Sequence, residues 1–299
     1  MIKTFKIDED LKIRLDKYLK ILFTALTQSF IEKNIRKKYI LINNSKTKSN
    51  YILKKNDILT ISNFHNDIFK NKIIYKKNKI IPTKILKDFD KSILYENNNF
   101  LILNKWYNIS TQGGSNINIS IDDIIKKISE DYKLVHRLDK HTSGLLIIAK
   151  TLYSAKKFGI MFKENLIKKT YLALCDGKPR LEESNVKLDI KNKLDKINKT
   201  ETYYKVLDYR NGISFIYFKP KTGKTHQLRI VSKNLGSPII GDNKYNPKSK
   251  YHIENLKLNA FNLKFNFDNQ SYNFFSKLPN DFNLFIKKHK LKDSRKLLR

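Results

Sequence analysis

Cysteine, proline and glycine are all scarce in this chain: one, six and nine residues among 299. A single cysteine, Cys175, excludes an internal disulfide and fits a reducing compartment. It ends the apolar run Tyr171-Leu172-Ala173-Leu174-Cys175, which reads as a strand with a buried structural thiol rather than a nucleophile. No Cys/His spacing suits a metal, and neither a phosphate-cradling loop nor a dinucleotide fingerprint is present, so no metal and no cofactor are expected. No apolar run reaches 18 residues, and the first ten lack the apolar core of a signal peptide. The expectation is a soluble, cytoplasmic protein without membrane contact. Acid is also short: 28 carboxylates face 61 basic residues, a formal charge of +33.

What remains is a chain able to fold around a real core, since 40% of it is hydrophobic and the length allows one large domain plus a small one. The charge points to a polyanion. Only eight of the basic residues are arginine. Asparagine, isoleucine, tyrosine and phenylalanine are plentiful, the profile of an AT-rich genome, so part of the lysine excess is codon drift. Drift alone does not suppress the acids, and nucleic acid stays the preferred partner.

Periodicity divides the chain into a small module over 1–64, a linker over 65–90, a large domain over 91–288 and a basic tail over 289–299. In the module, Leu15, Tyr18, Leu19 and Leu22 have helical spacing, and a second amphipathic helix runs from Ser29 to Arg36. Short strands follow at 39–42 and 57–61, separated by an Asn43-Asn44 turn. Arg14, Lys17, Arg36, Lys37 and Lys38 would give the module a cationic side; a solvated charged surface fits as well. In the large domain, strand-like runs lie at 100–104, 145–149, 171–175, 202–207, 213–218 and 226–231, with helices near 119–130 and 152–167. Without strict βαβ alternation, the fold class is α+β: a mixed, mostly antiparallel sheet with flanking helices, beside a small α/β N-terminal module.

Three segments hold six of the nine glycines: 104–116, 135–150 and 220–245. In a glycine-poor chain the survivors mark backbone positions that refuse a side chain. The middle segment is the most informative. Asp139 stands among His136, Arg137, Lys140 and His141, ahead of a Thr142-Ser143-Gly144 turn and the apolar run Leu145–Ala149. Cationic neighbours favour a carboxylate. Taken alone, the block fits a reactive acid and a salt-bridged loop before a core strand equally well. Tyr171 alone is a strand aromatic, Trp106 reads as core packing ahead of base stacking, and His226 reads as a structural strand histidine ahead of an acid–base group.

His136-Arg137-Leu138-Asp139, followed by Thr142-Ser143-Gly144-Leu145-Leu146 and then Ala149-Lys150, resembles the signature of the RNA pseudouridine synthases. Asn104-Lys105-Trp106 resembles their Asn-Lys-Pro block, with Trp106 in place of proline and Asn108 in place of glycine. Gln112-Gly113-Gly114 is closest to the ribosomal large-subunit subgroup of that family. Lys169-Thr170-Tyr171-Leu172-Ala173-Leu174 resembles a family strand, and Gly223-Lys224-Thr225-His226-Gln227-Leu228-Arg229 a family turn, with Lys224 for arginine and Val231 for a histidine. Residues 14–19, Ile42-Asn43-Asn44 and Asp57-Ile58 resemble a small RNA-binding module first known from a small-subunit ribosomal protein, with Asn56 in place of glycine.

The resemblance implies that Asp139 is catalytic, that Tyr171 stacks on the target base, and that Arg229 pairs with Asp139. It also implies that Arg137 fills the space a flipped base leaves, with Arg14, Lys17, Arg36, Lys37 and Lys224 holding RNA. The expected activity is isomerisation of uridine to pseudouridine in large-subunit ribosomal RNA by a monomer. Its rivals are the same reaction on transfer RNA, and a non-catalytic protein that binds ribosomal RNA or assists ribosome assembly.

Overall fold

The computed structural model describes residues 1–11, 13–70, 80–114, 117–191, 197–251, 253 and 255–292. The chain forms two compact units, Met1–Asn78 and Lys79–Arg299. Among the described residues no helix is long and apolar enough to cross a membrane.

The first unit runs β1 (Lys3–Lys6), α1 (Leu15–Leu22), α2 (Gln28–Arg36), β2 (Ile40–Ile42), β3 (Ser45–Lys46) and β4 (Ile58–Ile61). Its strands form an antiparallel sheet in the order β1-β4-β2-β3. Leu15 and Leu19, one helical turn apart, bury fully against Ile31 and Ile35 of α2 and Ile40, Leu59 and Ile61 of the sheet. Asn43 and Asn44, at φ 51° and 59°, make the tight β2–β3 turn, for which two successive left-handed residues suit the twist of the strands. Asp57 fastens it, accepting from the Asn43 amide and the Lys54 N–H at 2.8 Å each.

The second unit runs α3 (Thr83–Ser92), β5 (Ile93–Glu96), β6 (Phe100–Lys105), α4 (Ile121–Ile128), β7 (Lys133–Leu134), β8 (Ser143–Ala149), α5 (Leu152–Lys163), β9 (Lys168–Asp176), β10 (Glu183–Lys191), β11 (Ile197–Arg210), β12 (Ile213–Pro220), α6 (Gln227–Asn234), β13 (Leu258–Phe267), β14 (Gln270–Phe275) and α7 (Asn280–Lys288). Ten strands form one sheet along β10-β11-β12-β9-β13-β8-β6-β5, with β14 on β13 and β7 on β8. Among the described residues, only the β13–β8 strand pair of this sheet is parallel. Alternation along the strands sorts the apolar residues to two faces. In β6, Leu101 and Leu103 pack with Ile121, Ile124 and Ile125 of α4, while Phe100 and Ile102 pack with Phe158 of α5. In β9, Leu172 and Leu174 face Phe282 and Ile286 of α7, while Ala173 and Cys175 face Leu228 and Val231 of α6. Capping boxes start α4 (Ser120 with Asp123) and α5 (Thr151 with Ser154).

The α+β class holds, with four local corrections. The run 226–231 is not a strand: Leu228, Val231 and Leu235 recur at helical spacing on one face of α6 and pack against the sheet. Residues 65–90 are not all linker. Phe69 is buried in the first core, and α3 starts after Pro82 with Phe89 buried in the second. The short β1 was not anticipated, and the second helix is capped by Thr27 instead of Ser29. The expected tail packs at its start, where Leu291 is buried; residues 293–299 lie outside the described residues.

Asparagine supplies seven of the eleven non-glycine residues that have positive φ among the described residues. Two are Asn56 (67°) and Asn108 (63°), which replace family glycines and keep the left-handed backbone. At Gly144 and Gly241 no replacement fits, because a Cβ would lie 2.4 Å from the carbonyl oxygens of Ala260 and Asn255. The expectation was too broad for Gly113, Gly114 and Gly223, where neither torsion nor a severe clash demands glycine.

Candidate active site

Asp139 lies in the loop between β7 and β8, at the edge of a cavity of about 380 Å³ in the second unit. The same cavity is lined by Arg137, Tyr171 of β9, the turn Thr222–His226 and Arg229 of α6. Asp139 is the only carboxylate among the described residues that line it. Its side chain is 30% exposed and accepts no hydrogen bond from a described residue; its nearest charged-type neighbour is His226 Nε2, at 3.9 Å from Oδ2.

The loop's position is set from behind. Thr111 Oγ1 donates to the Leu138 carbonyl (2.7 Å) and accepts from the Leu138 N–H (3.1 Å). Lys105, buried at the end of β6, donates from Nζ to the carbonyls of Trp106, Ile109 and Lys140. Burial holds its ammonium down to about 7, against the opposing charge of Asp139. The described residues 104–114 therefore brace the Asp139 loop and do not line the cavity. Trp106 packs half-buried against the core under α4, and Asn108 Oδ1 accepts from His141 Nδ1 at 2.7 Å.

The second wall is the turn into α6. Buried Gln227 ties it together, accepting from Thr222 Oγ1 (2.8 Å) and the Lys224 N–H (3.0 Å) and donating to Thr202 Oγ1 (2.9 Å). His226 takes the left-handed conformation at the helix start (φ 56°), an unusual one for a side chain of its size, and this conformation accompanies its placement beside Asp139. Its Nδ1 lies 3.1 Å from Tyr245 Oη. Desolvation depresses its pKa, outweighing the pull of Asp139, so the ring is neutral at neutral pH. His226 is thus a helix-start residue facing the site, not the strand histidine expected.

Arg229 departs from its expected partner. Its Nε and Nη2 donate to Asp242 Oδ2 and Oδ1 at 2.7 Å each, a buried bidentate pair. Asp242 also accepts from the Lys244 and Tyr245 N–H groups at 3.0 Å. Burial alone would raise its pKa, but Arg229 and these amides outweigh that and lower it. The Arg229 guanidinium centre sits 5.0 Å from the Tyr245 ring centroid. Asp242 rather than Asp139 takes the fork because Gly241 bends the 239–242 turn over α6, whereas the Asp139 loop is held away by Lys105 and Thr111. Asp242 and Tyr245 were missed in the sequence; the usable signal was an acid directly after a glycine in a glycine-poor chain.

Tyr171 is half-buried, and desolvation first and Asp139's charge second push its phenol well above the ordinary range, so it stays protonated. Arg137 and Lys224 are exposed at the cavity. Val231 fills the core between α6 and β9, where a histidine would bury a polar ring. Cys175 is buried, 3.2 Å from Ser232 Oγ, with its thiol pushed up to about 12. In the first unit, Arg14 and Arg36 line a groove of about 490 Å³ with Lys46 and Lys48, which sequence reading missed. Arg14 forks onto Asp16 within it (2.6 and 3.1 Å). Lys17 and Lys37 are exposed but outside this groove.

A mixed sheet with one cavity-lining aspartate and a separate four-stranded module matches two known profiles: RNA pseudouridylate synthase over residues 99–234 and the S4 domain over 13–59. The chain belongs to the RNA pseudouridylate synthase family. It is 40% identical over 272 residues to the ribosomal large subunit pseudouridine synthase C of Rickettsia bellii (strain RML369-C), covering 82% of this chain and 89% of that protein. The protein of the same name from Buchnera aphidicola subsp. Schizaphis graminum is 34% identical, covering 85% and 86%. Among solved structures, human RNA pseudouridylate synthase domain containing 4 shares the fold, with a TM-score of 0.62 at 22% identity over 73% of this chain and 99% of that one.

Proposed function

We propose that the chain isomerises specific uridines to pseudouridine in large-subunit ribosomal RNA, with Asp139 as its catalytic group. The observation that carries this reading is the lone carboxylate, with no side-chain hydrogen bond to a described residue, in a cavity whose other described lining residues are cationic, aromatic, apolar or neutral polar. The reaction breaks the bond from the anomeric carbon to N1, turns the base and joins the anomeric carbon to C5. C5 loses a proton and N1 gains one. No electrons are exchanged with a second molecule, so no cofactor is required. A single carboxylate serves as nucleophile at the sugar or as base toward a sugar proton.

The remaining residues take supporting parts. The target base leaves its stack at a cost of a few kcal/mol. Tyr171, protonated and half-buried, offers a face worth about 1–3 kcal/mol of stacking, and Arg137 enters the gap left in the RNA. Neutral His226 presents Nε2 toward Asp139 at 3.9 Å, while its Nδ1 is held by Tyr245 Oη at 3.1 Å. Arg229, tethered by Asp242, contributes positive charge near Asp139 without neutralising it through contact. Arg14, Arg36, Lys46 and Lys48 supply phosphate affinity that weakens with salt. The names of the similar bacterial proteins support the choice of large-subunit RNA over transfer RNA.

Tritium release from unmodified large-subunit RNA labelled at uridine C5 tests this. Release by the wild type and not by Asp139→Asn is expected. Release from transfer RNA alone would redirect the substrate, and salt-sensitive binding without release from either RNA would favour the non-catalytic protein.

A further inference from the structure

The site's buried or half-buried cations differ in one respect. Arg229 has Asp242, and Lys105 has three carbonyls. Lys169 has neither: it lines the Asp139 cavity half-buried, with no hydrogen bond or ion pair to any described residue. Its Nζ lies 5.9 Å from the Phe162 ring centroid. Desolvation lowers its pKa. Carrying a cation into a cavity wall without a partner is costly and calls for an anion that arrives with the ligand.

Two neighbours add donors at the same end. His136 Nε2 accepts the Ile147 N–H at 2.8 Å, and desolvation with the charge of Lys169 holds the ring down at about 3. The neutral ring therefore carries its proton on Nδ1, which remains free as a donor. The ring stacks on Phe162 at 4.6 Å between centroids. Across the cavity, a Cβ built on Gly223 would lie 4.0 Å from Lys169 Nζ, which puts that backbone and the adjoining Lys224 beside the ammonium.

We infer that Lys169, His136 and the Gly223-Lys224 turn form an anion subsite that takes a backbone phosphate of the RNA strand entering the cavity. The inference rests on the RNA-modifying reading above. Strand geometry supports the ligand's identity: Lys169 and Tyr171 alternate with buried Thr170 on β9, so they share the face that carries α6 and lie about 7 Å apart along the strand. A base on Tyr171 and a phosphate at Lys169 are then separated by one sugar, which is the group Asp139 must reach. An ammonium and an imidazole N–H match phosphate oxygens, and the donors on this wall leave little to recognise a cation.

Phosphate-ethylation interference reads this directly and needs no knowledge of the target uridine. The full chain is bound to an end-labelled, unmodified large-subunit RNA fragment with randomly ethylated phosphates, and bound and free pools are compared. At one phosphate, ethylation should block the wild type and Lys169→Arg but not Lys169→Gln, while all other interference positions persist. The slope of log affinity against log salt should fall by about 0.7–0.9 in Lys169→Gln. Identical interference patterns in wild type and Lys169→Gln, with matching melting temperatures, overturn the subsite. If Lys169→Gln does not fold, Lys169→Met takes its place. Loss of tritium release with the differential phosphate intact would reject the isomerase reading and leave the subsite standing. The reverse combination would reject the subsite alone.

Discussion

Two aspartates lie within electrostatic reach of Arg229 and are treated in opposite ways. Asp242 is buried, held by both nitrogens of the Arg229 fork and by two backbone amides, and every one of its oxygens is occupied. Asp139 is 30% exposed, with His226 at 3.9 Å and no hydrogen bond to its carboxyl. Neighbouring charge in the sequence does not separate them, since each has a lysine close after it, Lys140 and Lys244. What separates them is how many lone pairs the fold leaves open. The structure fastens one carboxylate so that the arginine beside the other stays in place, and it keeps the second available for bond making.

The comparison is most exposed to failure in activity. Asp139→Asn should lower turnover by about a thousandfold or more, in single-turnover tritium release, while leaving the melting temperature nearly unchanged because no hydrogen bond is lost. Asp242→Asn should do the opposite in character. Leaving Arg229 buried without its charge partner costs about 3–5 kcal/mol in urea unfolding, with activity reduced only as far as Arg229 wanders. If both variants lost stability equally, the contrast would collapse.

Smaller effects sharpen it. His226→Gln should reduce turnover by roughly tenfold and alter the acid side of the pH–rate profile. In the wild type, protonation of His226 below its ordinary 6.5 turns it into a cation facing Asp139. That acid limb should therefore vanish in the variant, and a limb that survives would separate His226 from Asp139. The smallest effect belongs to Lys105. Its folded pKa of about 7 lies below the ordinary lysine value of 10.5, so the unfolded chain binds more protons across that window. Stability should rise with pH from about 7 toward 10.5, and this rise should be flatter in Lys105→Met, read from melting temperatures across that range.

Much of this was legible because strong local patterns survive in an unusual composition. The strands at 100–104, 145–149, 171–175 and 213–218 are apolar on both faces, and the sheet is indeed covered on both. Misreadings arose where lysine or β-branched residues masked a period. In α3, Ile85 and Phe89 are one helical turn apart among lysines and aspartates. In α6, isoleucine and valine suggested a strand, although Leu228, Val231 and Leu235 carried the helical spacing. The Asp139 loop could be located from its residues alone, but the partner of Arg229 could not. Asp242 is thirteen residues further on, and only the close passage of Gly241 against Asn255 brings it over the helix.

Left-handed asparagines at 56 and 108, set against glycines at 144 and 241, divide the backbone's demands into two kinds. Where a turn requires only a torsion angle, asparagine serves, as at 56 and 108, although glycine also remains at 236 with open space beside it. Where a carbonyl passes 2.4 Å from the place a side chain would fill, no rewriting has happened. The positions that resisted drift flank the two aspartates, one behind each loop. Steric demand at two glycines thus borders both carboxylates, Gly144 behind the Asp139 loop and Gly241 beside Asp242.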